Sequence, residues 1–124
     1  MNVDLELALF EADHGDPATA LDMARRAYEA RPSIHAADAL AWASWRAGEI
    51  DAAQTYITEA LRLNTQDALL FYHAGMIAAA RGDRAAATVH LGRALELNPW
   101  FDFAQTIIAR DTLSALSAGQ ENQP

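Results

Sequence analysis

The chain has 124 residues, enough for one domain with a continuous core, and its content of 52% hydrophobic and 21% charged residues is that of an ordinary globular protein. A net charge of −8 argues against a nucleic-acid backbone or an anionic membrane surface as the main partner, because both reward excess positive charge. Cysteine is absent, which removes disulfides, thiolate metal sites and cysteine nucleophiles.

The opening stretch, MNVDLELALFEADHGD, is acidic and amphipathic, the opposite of a secretory leader. No apolar run approaches the ~20 residues of a membrane helix. Neither a leader nor a membrane span is expected, and the cytoplasm is slightly favoured as compartment.

Three segments then share one register. They are DHGDPATALDMARRAYEARPS at 13–33, RAGEIDAAQTYITEALRLNTQ at 46–66 and ARGDRAAATVHLGRALELNPW at 80–100. Gly15, Gly48 and Gly82 coincide, as do Ala20, Ala53 and Ala87, and then Ala27, Ala60 and Ala94. Each copy reads as helix, turn, helix. In the third, Leu70, Phe71, Ala74, Gly75 and Ala78 recur at helical spacing before the turn, and Ala87, Val89, Leu91, Ala94, Leu95 and Leu97 after it. The turn glycine is expected to adopt a left-handed conformation and end the first helix. Asp16, Ser33, Asp67 and Asp83 are placed as N-caps, with Pro17 at the first helical position and Glu49 as a poorer cap. Pro32 and Pro99 break the chain after a helix. Arg81-Gly82-Asp83 has the spelling of an adhesion tripeptide, but turn and cap chemistry account for Gly82 and Asp83, and His14-Gly15-Asp16 and Ala47-Gly48-Glu49 fill the same slots.

After Pro99 the segment FDFAQTIIARDTLSALS reads as one more amphipathic helix, with Phe101, Ala104, Ile107 and Ile108 as its apolar stripe. It is predicted as a capping helix over about residues 102–117, and residues 119–124 as a disordered tail.

With these residues in place, the sequence resembles the tetratricopeptide repeat family, whose unit has about 34 residues with small residues and glycine at set offsets. The matching residues are Ala8, Ala41 and Gly75 in the first helices, the three turn glycines, the two alanine sets, and Pro32 and Pro99, with Thr65 departing from the proline. The family's first-helix aromatic is kept only as Phe71; Asp4 and Ala37 stand elsewhere. The resemblance implies an all-α fold: a right-handed superhelix of three helix-turn-helix repeats (about 1–33, 34–67 and 68–101) plus the capping helix, one domain spanning 1–118.

It also implies a role. The chain is expected to be a noncatalytic scaffold for protein–protein interaction that holds a peptide or helix segment of a protein partner in a concave groove. The groove positions carried over are Leu5, Leu9, His35, Asp38, Trp42, Trp45, Arg46, Tyr72 and Met76, with Asn2, Ala12, Asp13, Leu69, Ala79 and Ala80 beside them. Phe103, Thr106 and Arg110 are placed at one end. The basic carboxylate clamp of one subgroup is missing, because Leu5, Leu9, Asp38, Tyr72 and Met76 occupy its positions. The groove is therefore read as apolar and aromatic, with Trp42 the favoured ligand contact and Trp45 the candidate for the core. Two alternatives stay open: self-association into a homo-oligomer, and a regulatory module of a larger protein.

Catalysis finds no motif. His14, His35, His73 and His90 are scattered, and His35 with Asp38, three apart, is too common a pair to mark a metal site. No glycine-rich phosphate loop or nucleophile motif occurs, and no cofactor is expected.

Overall fold

The computed structural model describes residues 3–63 and 65–121. Among them lie seven helices and no strand: α1 (Val3–His14), α2 (Pro17–Ala30), α3 (Ile34–Arg46), α4 (Ile50–Leu61), α5 (Ala68–Ala80), α6 (Arg84–Leu97) and α7 (Phe103–Glu121). The fold is all-α. Asn2 and residues 122–124 lie outside the described residues. The chain divides into two compact units, Met1–Thr65 and Gln66–Pro124.

In the first unit α1 packs on α2 and α3 on α4, and α3 also packs against α1 and α2. The helices start where side-chain oxygens cover orphan backbone donors. Asp16 accepts from the Thr19 amide at 3.0 Å and from its hydroxyl at 2.7 Å. Those bonds hold the Asp16 carboxyl below its ordinary range, the Thr19 hydroxyl contributing most. Ser33 accepts from the Ala36 amide at 3.0 Å. Glu49 makes no side-chain cap, as its longer side chain leads one to expect. Tyr28 ties α2 to α4, donating its hydroxyl to the Glu59 carboxylate at 2.8 and 2.9 Å while its ring meets Tyr56 edge-on.

In the second unit α5 and α6 form a hairpin, and α7 packs on α6. Asp67 caps α5 by accepting from the Leu69 amide at 2.9 Å, Asp83 caps α6 at Ala86 (3.1 Å), and Asp102 caps α7 at Gln105 (2.9 Å).

The packing is repeat-like. Ala20, Ala53 and Ala87 are each wholly buried, as are Ala8 and Ala41, and Ala27, Ala60 and Ala94 are buried as well. Short side chains let helix axes approach to about 8–10 Å. Gly75 takes this furthest: a methyl group built on it would lie 2.6 Å from the Leu91 side chain and 3.1 Å from the Leu91 amide nitrogen. α5 and α6 therefore cross with no room for a β-carbon.

The turns repeat in two of three copies. Gly48 and Gly82 have φ of 86° and 81°. In each, the residue after the glycine donates back six-to-one across the helix end, Glu49 to Ser44 at 2.8 Å and Asp83 to Ala78 at 2.9 Å. Gly82 and Asp83 thus serve as turn and cap. Gly15 departs from the expectation, since it is not left-handed. That turn is closed by Glu11, whose carboxylate accepts from the Asp16 amide at 2.9 Å and lies where a Gly15 β-carbon would sit. A β-carbon there would displace the flexible end of the Glu11 side chain rather than backbone.

The last helix differs from its predicted pattern. α7 continues to Glu121, past the expected end near Ser117. Its inward stripe is Thr106 and Ala109, both wholly buried, with Leu113 and Leu116 half-buried. The expected stripe does not face inward: Ala104 is exposed, and Ile107 and Ile108 are each 44% exposed. Phe101 precedes the helix and packs on Tyr72, ring centroids 5.3 Å apart. Once Asp102 caps the helix, the register brings small Thr106 and Ala109 to the α6 contact.

Candidate partner-binding surfaces

The first-helix face of the first unit is organised around Trp42. Its side chain is 2% exposed, and Nε1 donates to Asp13 Oδ1 at 2.8 Å. Asp13 lies near the end of α1, so this bond fastens α1 to the second half of α3. Trp45, one turn on, packs against Trp42 with centroids 4.6 Å apart and stays partly exposed. Arg46 crosses the Trp45 ring at 5.5 Å and donates from Nε to the Ala12 carbonyl at 3.0 Å. The burial order of the two tryptophans is thus the reverse of the expectation. Trp42 sits inside because α1 supplies a half-buried acceptor for its indole N–H, which a tryptophan needs when buried.

The other carried-over residues of this unit divide in the same way. Leu5 and Asp38 are buried, Leu9 is half-buried and His35 is exposed. Leu5 belongs to a small core with Ala27, Ala36 and Ala39, against which Leu9 and Tyr28 pack. The surface that a partner can reach here is made by Trp45, Arg46, His35 and part of Leu9.

In the second unit Tyr72 is buried between His73 and Phe101, and Met76 is half-buried. The most exposed aromatic surface lies at the α6–α7 corner. Trp100 is 58% exposed and stacks with Phe103, which is 74% exposed, at 6.1 Å and 16° between planes. The Arg110 guanidinium lies 5.0 Å from the Trp100 ring centroid. The indole is thereby held by a ring and a cation, a rigid anchor of the kind that favours binding. The family pattern puts Phe103 and Arg110 at a groove end, but it gives Trp100 no role.

A second apolar surface, missed in the sequence, is the outer side of α1. Leu7 is 50% and Phe10 62% exposed, while Leu5, Ala8 and Ala12 are buried on the other side. The signal was available: α1 carries apolar residues at helical spacing on two faces.

His90 in α6 has a displaced titration. Burial pushes its pKa down from the ordinary 6.5, partly opposed by the Asp83 carboxylate. Its Nδ1 is buried without a hydrogen-bond partner, and its ring lies 5.9 Å from Phe71. Among the described residues no group of three or more His, Cys, Asp or Glu is placed to hold a metal ion, and no helix is long and apolar enough to cross a membrane.

No protein-family model and no curated protein matches this chain.

Proposed function

We propose that this chain is a tetratricopeptide-like repeat domain, a right-handed superhelix of three helical hairpins and a capping helix, that serves as a noncatalytic scaffold for a protein or peptide partner. What supports the family reading is the recurrence of buried alanines at one register together with the paired left-handed turns at Gly48 and Gly82. What supports the binding role is the Trp45–Arg46 surface, where a partly exposed indole is braced on one side by Trp42 and crossed by a guanidinium. Tryptophan and arginine dominate interface energetics because they bury much area while keeping directional polar contacts. Trp42 and Asp13 position this surface, and Trp45 makes the contact.

The test is capture of a partner from lysate by the intact chain, followed by direct titration of the captured segment. Trp45→Ala should weaken that binding about tenfold or more while the thermal melt changes little. Binding that survives Trp45→Ala and Arg46→Ala unchanged would overturn the assignment of this surface.

A further inference from the structure

We infer that the outer face of α1 in one copy of this chain docks on the Trp100–Phe103–Arg110 corner of a second copy, giving head-to-tail self-association. The inference is independent of the partner surface at Trp45. A water-facing helix side is ordinarily polar, but Leu7 and Phe10 are at least half exposed on α1, and Phe103 at 74% and Ile107 at 44% are exposed on α7.

The two faces are complementary in charge. Glu6, in the acidic first turn of α1, is exposed one turn from Phe10 on the same side of the helix. Arg110 stands one turn past Ile107 and is exposed beside the corner it braces. An acid flanks the apolar stripe on one face, and a cation flanks the aromatic pair on the other. That match selects a second copy over an arbitrary apolar partner, because both halves of the contact are present on this one chain. The Phe103–Trp100–Arg110 stack is already ordered, so docking loses little side-chain freedom. The contact is heterologous, so a string of copies keeps one free face of each kind at its two ends, and association proceeds to longer open strings or a closed ring.

The experiment uses the full chain and sedimentation velocity with light scattering over a wide concentration range. The wild-type mass should rise with concentration. Phe10→Glu and Phe103→Glu should each remain monomeric; both positions are exposed, and circular dichroism verifies that each folds, with Ile107→Glu as a second α7 variant. A mixture of Phe10→Glu with Phe103→Glu should form a two-chain complex and stop there, because one intact face of each kind remains. Arg110→Glu should weaken wild-type association about tenfold or more, and adding Glu6→Arg in the same chain should restore it. A wild-type protein that stays monomeric throughout overturns the inference. So does association that Phe103→Glu abolishes but Phe10→Glu leaves intact, which would mean that two α7 corners pair with each other.

Discussion

Trp42 Nε1 lies 2.8 Å from Asp13 Oδ1, a hydrogen bond that joins the second half of one helix to the end of another across 29 residues of chain. The bond decides which of two adjacent tryptophans is structural. Trp42→Ala should destabilise the chain by about 3–5 kcal/mol, through lost burial and a cavity. Trp45→Ala should cost well under half as much. Urea melts of the two variants check this; equal losses would show that both rings belong to the core.

Glycine substitutions should split by site. Gly75→Ala forces its new methyl into Leu91 and its backbone nitrogen, so overpacking of about 1–3 kcal/mol should outweigh the better helix propensity of alanine. Gly92, inside α6, has nothing within 4 Å of a built β-carbon. Gly92→Ala should therefore stabilise by about 0.5–1 kcal/mol. Thermal melts of the pair should move in opposite directions, and a stabilising Gly75→Ala would refute the close α5–α6 crossing.

Thr106 is wholly buried at the α6–α7 contact, and its hydroxyl has no hydrogen-bond partner. Thr106→Val keeps the shape and removes the desolvated group. It should stabilise by about 1 kcal/mol, read as a raised urea midpoint at unchanged slope. A loss of stability would mean that the hydroxyl is satisfied in solution.

His90 makes stability depend on pH. Its imidazole is neutral in both folded and unfolded chains well above 6.5, where its contribution is fully present. As the pH falls below that value the unfolded chain takes up the proton first, because burial holds the folded pKa lower. Stability is then lost progressively until the folded form also protonates. His90→Phe, which retains a ring against Phe71, should flatten the difference between pH 7 and pH 5. An unchanged pH profile would place the burden on other groups.

Much of the local structure was legible. Asp16, Ser33, Asp67 and Asp83 cap the helices at which they were placed, and Gly48 and Gly82 turn left-handed. Gly15 was legible as a turn but not as to cause, since the carboxylate of Glu11 that replaces a left-handed turn reaches back from the preceding helix. The groove was less legible. Residues three and four apart share a helix side, but their spacing does not say which of them a neighbouring helix covers.

The sequence by itself determined the helices, their caps and the small residues at their crossings, because backbone conformation and 3.6-residue periodicity depend on neighbours along the chain. Only the tertiary structure decided that Trp42 is buried and Trp45 only partly so, and that α7 turns Thr106 and Ala109 inward and leaves Phe103 and Ile107 outside. Those outcomes depend on a distant acceptor at Asp13 and on the space available against α6, and packing is selected by volume and polarity from elements far apart in the chain.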